Sequence, residues 1–325
     1  MANKLSNNQH QKSFECYLPE LSSGSRIDIV LTELLKDFSR STIQKWITSG
    51  NITVDGETPR SRDIVYGGEH VFVFFKEDIE TEYSPEDLPL NIVYEDEHVL
   101  VLNKPDGFVM HPGAGNQNGT LLNGLLFHFP DLKMLPRAGI VHRLDKDTSG
   151  LVVVAKTSSA RKNLVEQLQE HKIKREYVAL IWGDLLSGGT IDFPISRHKV
   201  NRKKMSIQAQ GKPAITHYSI NKRYRTCTLL NVKLETGRTH QIRVHMLHNE
   251  TPIVGDRVYK RKQKIIKHYN NDIIKQLTGF HRQALHAKKI SFQHPKKLDF
   301  MTFESRLPDD FQTLLQLLNS GSLEK

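Results

Sequence analysis

The chain has 325 residues, of which 38% are hydrophobic and 25% charged, and its formal net charge at pH 7 is +10. Its longest apolar runs, such as Leu151–Ala155, are far shorter than the roughly 20 residues of a membrane-spanning helix, which argues against an integral membrane protein. The chain has only two cysteines, Cys16 and Cys227, far apart in sequence, which argues against a disulfide framework and against a cysteine-based zinc site.

The first segment, residues 1–19, is polar and lacks the apolar stretch of a secretion signal. We therefore expect a disordered leader on a cytoplasmic protein. The excess of Lys and Arg along the chain favours a polyanionic partner, because binding phosphates releases condensed counterions.

The next segment, residues 20–78, has the pattern of a small module of two helices and a few strands. Apolar residues from Ile27 to Phe38 recur at helical spacing. A second helix follows and is expected to end at Gly50, which can adopt the left-handed turn that closes many helices. Asp55–Gly56 is a hairpin signal, and Val71–Phe75 has the composition of a strand.

Within this module the stretch RIDIVLTELLKDFSRSTIQKWITSGNITVDG resembles an S4 RNA-binding domain. The resemblance implies a small α/β domain that binds folded RNA through its basic helical face. Arg26, Arg40 and Lys45 are the candidate RNA contacts, and the start of the second helix also favours phosphate through its dipole. The alternative is a small helical cap whose charges are merely solvated.

An acidic segment with two prolines, residues 79–90, is typical of a linker. Residues 91–320 then form a strand-rich region with few helices. The helices are too few for regular alternation with strands, so we predict an α+β domain with a mixed, largely antiparallel sheet. Apolar runs predict strands, and helical spacing predicts helices, over the following residues: Ile92–Tyr94, Val99–Leu102, Leu151–Ala155, Tyr177–Trp182, Ala214–Ile220 and Thr228–Leu234 for strands, and Leu121–Phe129 and Thr239–Leu247 for helices.

The segment most able to support chemistry is HRLDKDTSG, residues 142–150, directly before the apolar run of Leu151–Ala155. It places two carboxylates, two cations and two hydroxyls in a loop that a core strand anchors at one end, which suits a site of fixed geometry. Taken alone, the segment could equally be a charged surface turn. The metal motif HExxH and the deaminase motif HxE with PCxxC are absent, so we expect no metal.

The surrounding segment GIVHRLDKDTSGLVVVAK resembles the central motif of the RluA/RluD-type pseudouridine synthases. Four further segments, VLNKPDGFVMHPG, KREYVALIWGD, LETGRTHQIRVHMLHNETPIVGDRVY and QALHAKKISFQHP, resemble other motifs of this family in the family's order. The resemblance implies isomerisation of uridine to pseudouridine in RNA without any cofactor. The S4-like module is typical of the RluD branch, which implies that ribosomal RNA or the pre-ribosomal large subunit is the partner of a monomeric enzyme.

The resemblance also implies roles for individual residues. Asp145 would be the catalytic carboxylate, and Arg243 would pair with it. Tyr177 would stack on the uracil and assist proton removal, and Ile242 would line the uracil pocket. Arg143 would enter the RNA stem and help to displace the target base.

Two questions of mechanism and function stay open at this point. The carboxylate could add to C1′ of the ribose, or it could remove a ribose proton to give a glycal. The chain could also be an RNA-binding assembly factor without activity, or an N-glycosidase that releases free uracil. Basic stretches at residues 197–204 and 260–267 are candidate contacts to the RNA backbone, and solvated loops are the equally plausible alternative. The second stretch lies in a basic segment, residues 258–282, that is less similar to the family and has the character of a variable insertion.

Overall fold

The structure is a computed structural model that describes residues 4–8, 11–35, 38, 40–75, 83–113, 115–261 and 271–320. The chain forms two compact units, Met1–Glu82 and Tyr83–Lys325. None of the helices in the described ranges combines the length and the apolar content that crossing a lipid bilayer requires.

The first unit packs two helices against a small antiparallel sheet. Its elements are β1 (Lys4–Asn8), β2 (Gln11–Tyr17), β3 (Ser25–Arg26), α1 (Ile27–Leu34), α2 (Arg40–Thr48), β4 (Ile52–Val54), β5 (Ile64–Val65) and β6 (His70–Phe75). In the described residues β1, β2, β6 and β4 form one sheet in that order, and β3 pairs with β5. The apolar faces of α1 and α2 meet this sheet in one core, to which Ile27, Leu31, Ile43 and Val71 belong.

The N-terminal segment differs from the disordered leader that we expected for residues 1–19. Strand β2 pairs with β6 from Lys12, opposite Phe75, to Tyr17, opposite His70. The alternating residues Phe14 and Cys16 are buried in the core of the unit. Two apolar side chains within a polar stretch are a weak sequence signal, and the partner strand that makes them a sheet face lies more than fifty residues away.

The helices of this unit agree with the sequence pattern apart from one boundary. Helix α1 ends at Leu34, before Phe38, which packs against the same core from beyond the helix end. Gly50 has a φ of +74° directly after α2, and its N–H donates to the carbonyl of Ile47. This is the left-handed turn expected there.

The second unit is built on a large twisted sheet. Its strands are β7 (Ile92–Glu95), β8 (Val99–Lys104), β9 (Ser149–Ala155), β10 (Lys174–Trp182), β11 (Gly189–Asp192), β12 (Ile195–Arg197), β13 (Met205–Ile207), β14 (Ile215–Arg223), β15 (Cys227–Leu234), β16 (Leu285–Gln293) and β17 (Phe300–Glu304). Its helices are α3 (Leu121–His128), α4 (Ser158–Gln169), α5 (Gln241–His248), α6 (Asn271–Gly279) and α7 (Asp309–Ser320).

The order of the main sheet is β11-β14-β15-β10-β16-β9-β8-β7, with β17 paired to β16. Among the described pairs in this sheet only β9 and β16 are parallel, and the others are antiparallel. The α+β prediction with a mixed, largely antiparallel sheet is therefore confirmed. Each predicted strand and helix of this region has a counterpart within a few residues.

Strand β9 fixes the position of the loop before it. All seven of its residues are buried, as its unbroken apolar run predicted. Val152 and Val154 face one core, whereas Leu151 and Val153 face the other. Of the basic stretch 258–282, residues 262–270 lie outside the described part of the chain, and α6 follows them.

Candidate active site

The loop that carries Asp145 lies between the buried Ile140 and strand β9. Leu144 is buried in the core, and the N–H of Thr148 donates to the carbonyl of Asp145 at 3.1 Å, which closes a turn. The Asp145 side chain is 13% exposed. The carboxylate is therefore presented from a turn that is fixed on both sides by core residues.

Lys104, at the end of β8, ties this loop to the neighbouring strand. Its ammonium donates to the carbonyls of Pro105, Phe108 and Lys146 at 2.7, 2.8 and 2.9 Å, and the side chain is buried. Burial lowers the pKa of Lys104 to about 7, while nearby carboxylates, including that of Asp145, oppose the shift. Lys104 belongs to the segment VLNKPDG, and nothing in that motif alone indicates this role.

Arg243 binds Asp145 from helix α5. Its Nη1 donates to Asp145 Oδ2 at 2.9 Å, while Nε and Nη2 donate to the two oxygens of Asp256 at 2.7 and 3.0 Å. Burial opposes the charge of this guanidinium, but Asp256 and Asp145 outweigh it and raise the pKa of Arg243. One buried cation thus holds two carboxylates.

Asp256 was not singled out by sequence reasoning. Its side chain is fully buried, and Oδ1 also accepts the N–H groups of Val258 and Tyr259 at 2.9 Å each. All of its contacts fix one orientation of the carboxylate, and through it the orientation of Arg243. The only sequence feature that pointed to Asp256 was its place in the family-like segment TPIVGDRVY.

His240 and Tyr259 complete the surroundings of Asp145. His240 Nε2 lies 3.8 Å from Asp145 Oδ1, and His240 Nδ1 lies 2.7 Å from the hydroxyl of Tyr259. The Tyr259 ring lies against the Arg243 guanidinium at 4.9 Å. Burial lowers the pKa of His240 although Asp145 opposes this, so the imidazole next to the carboxylate is neutral at pH 7.

Tyr177 on β10 lines the same cavity as Asp145 and is 6% exposed. Burial raises the pKa of its phenol, Arg175 lowers it and Asp145 raises it, with a net increase. The hydroxyl is therefore protonated at neutral pH.

One small cavity brings together five residues that the sequence pointed to, namely Arg143, Asp145, Tyr177, Ile242 and Arg243. They come from the loop before β9, from β10 and from α5. Ile242 is buried in the floor, whereas Arg143 is exposed at the rim. The cavity has a volume of about 50 Å³.

Two families of known proteins match this chain. The sequence pattern of the family described as RNA pseudouridylate synthase matches residues 98–248, and that of the S4 domain matches residues 25–69. The chain is 49% identical over 308 residues to "Ribosomal large subunit pseudouridine synthase D" of Xanthomonas campestris. The alignment covers 95% of this chain and 93% of that protein. The chain belongs to the RNA pseudouridine synthase family.

Other members of the family show the same relationship. Proteins with the same name from Pseudomonas aeruginosa and Yersinia pestis are 50% and 45% identical, over 91% and 97% of this chain and 92% and 97% of their own lengths. The chain is accordingly an RNA pseudouridine synthase with an N-terminal S4 domain. This agrees with the resemblance found in the motifs.

Solved structures confirm the fold of the synthase unit. "Human RNA Pseudouridylate Synthase Domain Containing 4" aligns with a TM-score of 0.55 and 22% identity, and covers 70% of this chain and 93% of its own. "Human RNA Pseudouridylate Synthase Domain Containing 1" aligns with a TM-score of 0.51 and 24% identity, and covers 72% and 96%.

The remaining candidate residues lie in the S4 unit. Arg26 and Arg40 both bind the fully buried carboxylate of Asp28, each at 2.9 Å, and their side chains are 34% and 45% exposed. Gln44 Nε2 also donates to Asp28 at 2.6 Å. Burial opposes the charge of Asp28, but these three donors lower its pKa. Lys45 is exposed to solvent.

Within the part of the chain that the structure describes, no group of three or more His, Cys, Asp or Glu side chains is arranged to hold a metal ion.

Proposed function

We propose that this synthase isomerises specific uridines of large-subunit ribosomal RNA and that Asp145 is its catalytic carboxylate. The ribosomal substrate is supported by the names of relatives that match almost the whole chain. The observation that carries the catalytic assignment is the placement of Asp145 against Arg243 and beside Tyr177 in one cavity.

The reaction breaks the bond between N1 and C1′ and forms a bond between C5 and C1′. The base loses the proton on C5 and gains one on N1, so no electrons are transferred. Asp145 is the group that acts on the ribose, where positive charge develops as the first bond breaks. The Arg243 guanidinium donates to this carboxylate and fixes its direction.

Tyr177 is proposed to stack on the detached uracil, which must turn within the site before it rejoins. Its buried ring offers a flat apolar face, and its hydroxyl can hydrogen-bond to the base. Because the hydroxyl is protonated at neutral pH, it acts first as a hydrogen-bond donor. Any part it plays in removing the C5 proton requires its own proton to leave as well.

Replacing Tyr177 by Phe separates these two roles. The Tyr177→Phe variant should keep its affinity for RNA within about twofold, because the ring remains. Its single-turnover rate should fall by about 100-fold if the hydroxyl assists proton transfer. Measuring both quantities on the same RNA decides between the roles, and an unchanged rate would leave stacking as the only role.

The target uridine must leave its helix or loop to reach Asp145, at a cost of a few kcal/mol. The cavity of about 50 Å³ is much smaller than the roughly 300 Å³ of a typical ligand pocket. Its walls must therefore move to admit a base. Arg143 is exposed at the rim, so its side chain can swing into the space that the base leaves without disturbing the core.

The decisive experiment measures tritium release from C5-labelled uridine in large-subunit ribosomal RNA. Asp145→Asn should reduce release by at least about 1,000-fold, because the amide cannot act on the ribose. Asp147→Asn is the matched control: it makes the same change two residues away in the same loop and should stay within about threefold of wild type. Comparable losses in both variants would remove the assignment to Asp145.

RNA outside the pocket is proposed to contact two basic surfaces. One is the S4 unit with Arg26, Arg40 and Lys45. The other is the hairpin formed by β12 and β13, whose exposed turn carries the basic residues of 197–204. Both would act through phosphates, so they would set affinity and its dependence on salt more than the choice of uridine.

We further propose that the enzyme acts as a monomer in the cytoplasm. Both cysteines are free and buried, which agrees with a reducing compartment. Light scattering on the purified chain tests the monomer, and a stable dimer at micromolar concentration would contradict it.

A further inference from the structure

A second cavity lies beside the one that contains Asp145 and is much larger, with a volume of about 770 Å³. The two cavities share a wall formed by Arg143, Arg175, Gly237 and Arg238. Nothing in the proposed reaction uses the larger space. Its volume falls within the range of pockets that hold small organic ligands.

The charge of this cavity is entirely of one sign. Four arginines line it, Arg143, Arg175 and Arg238 in the shared wall and Arg137 on another side, and none of the lining residues, all of them described, is Asp or Glu. Such a lining attracts an anion. Arginine in particular suits phosphate, because its planar fork can donate two parallel hydrogen bonds.

Arg175 in the shared wall shows that this positive charge is not balanced by the protein. It is 8% exposed, and its Nε has no hydrogen-bond partner among the described residues. The hydrogen bond from its Nη2 goes to a neutral group, the carbonyl of Glu235, at 3.3 Å. A buried cation without a counterion is costly, and a bound phosphate would compensate it. A Cβ atom on Gly237 would lie 2.4 Å from Arg175 Nη1, so the absence of a side chain at position 237 makes room for this guanidinium.

The same cavity also offers polar groups that carry no charge. The imidazole of His142 accepts the N–H of Val153 at its Nε2, at 3.0 Å, which assigns the proton of the neutral ring to Nδ1. This Nδ1 and that of His111 are buried and have no partner among the described residues. Burial, with Arg175, lowers the pKa of His142 to about 3, so the ring is neutral. Val165 and Leu168 of α4 provide apolar lining.

We propose that this larger cavity is a binding site for a second nucleotide of the same RNA strand, adjacent to the target uridine. Arg175 and Arg238 of the shared wall hold the phosphate that joins the two nucleotides. The neighbouring base lies against the apolar residues of α4 and hydrogen-bonds to the neutral imidazoles. Each feature of the cavity then has a use: its volume, its unbalanced cations and its unpaired uncharged polar atoms.

This inference rests on the proposed function only in that the ligand is the RNA strand whose uridine enters the Asp145 cavity. With the uridine in one cavity and the adjacent nucleotide in the other, the enzyme would recognise both nucleotides together. The second site would therefore contribute to the choice of uridine.

The test uses the fluorescein-labelled pentaribonucleotide AAUAA and two versions with an abasic residue directly 5′ or 3′ of the uridine. Affinity is measured by fluorescence anisotropy at low salt. For wild type, removing one of the two flanking bases should weaken binding by about tenfold. Val165→Phe, which narrows the cavity next to α4 where the base is proposed to lie, should bind the intact RNA about tenfold more weakly and lose nothing further with the abasic RNA.

Two further variants keep the result interpretable. Arg137→Gln removes an exposed cation of the cavity and should weaken binding of all three RNAs. Arg306→Gln makes the same change at an exposed arginine that does not line the cavity and should behave as wild type. Equal wild-type affinity for all three RNAs, or full discrimination by Val165→Phe, would overturn the proposal. Because anisotropy does not require turnover, absence of tritium release from ribosomal RNA would count against the proposed function and leave this result standing.

Discussion

The two units of this protein use arginine and aspartate in opposite proportions. In the S4 unit one buried carboxylate, Asp28, holds two half-exposed guanidiniums, those of Arg26 and Arg40. In the synthase unit one buried guanidinium, that of Arg243, holds two carboxylates, those of Asp145 and Asp256. The first cluster carries a net positive charge at the surface, whereas the second carries a net negative charge in a cavity.

This difference shows how the same pair of residue types serves two purposes. Asp28 fixes two cations in place and leaves one positive charge in excess, which suits contact with phosphates. Arg243 binds the carboxylate of Asp145 and is itself fixed by Asp256, which holds Asp145 at the cavity. In each cluster a fully buried carboxylate, that of Asp28 or Asp256, fixes the guanidinium that it binds.

The strongest test of the synthase cluster is Asp256→Asn. Without the second carboxylate Arg243 loses its two-pronged anchor, and a shift of about 1 Å at Asp145 is enough to reduce the rate by about 100-fold. The variant should also lose about 3 kcal/mol of unfolding free energy, because a buried ion pair is broken. Single-turnover tritium release measures the first effect.

The stability change in this variant can be read from one tryptophan. The chain has two, Trp46 in the S4 unit and Trp182 on β10 in the synthase unit. In a Trp46→Phe background, urea unfolding followed by fluorescence reports on the synthase unit alone. Unchanged activity in Asp256→Asn would mean that Arg243 does not need Asp256 to orient Asp145.

The corresponding change in the S4 cluster, Asp28→Asn, should have a smaller effect and in a different place. Two guanidiniums would lose their shared buried partner, but both are partly solvated, so we expect a loss of about 1–2 kcal/mol. The Trp46 signal in a Trp182→Phe background should show this loss, while the single-turnover rate at saturating RNA stays within twofold of wild type. A large fall in that rate would show that the two clusters are not independent.

The smallest expected effect is on the pH dependence of stability, and it comes from a buried histidine near the loop of Asp145. His286 is 1% exposed and hydrogen-bonds to the hydroxyls of Ser149 and Ser305. Burial and Arg282 lower its pKa to about 4. Between pH 6.5 and 4 the unfolded chain therefore binds a proton that the folded chain does not, and stability falls as the pH falls.

His286→Gln should reduce this dependence on pH. Removing one such proton lowers the slope of the unfolding free energy by up to about 1.4 kcal/mol per pH unit within that window. Urea unfolding of the Trp46→Phe background at several pH values measures the slope. His248→Gln, at an exposed position of α5, is the control and should leave the slope unchanged.

Sequence reasoning reached further for some parts of this protein than for others. Apolar runs and helical spacing predicted six strands and two helices that the synthase unit contains, because alternating or continuous apolar residues reflect burial directly. The motifs also pointed to five residues that line one cavity. They did not predict that residues 11–17 form a strand, since that strand depends on pairing with β6.

The sequence by itself determined the family, the α+β architecture and the candidate carboxylate, because these follow from local pattern and from motifs that lie in order along the chain. Only the tertiary structure brought Asp256, His240 and Tyr259 to Asp145, and Arg137 and Arg175 to the second cavity. Residues that meet from distant positions of the chain leave no periodic trace in the sequence. Their hydrogen bonds and unpaired charges exist only after the sheet and α5 have packed together.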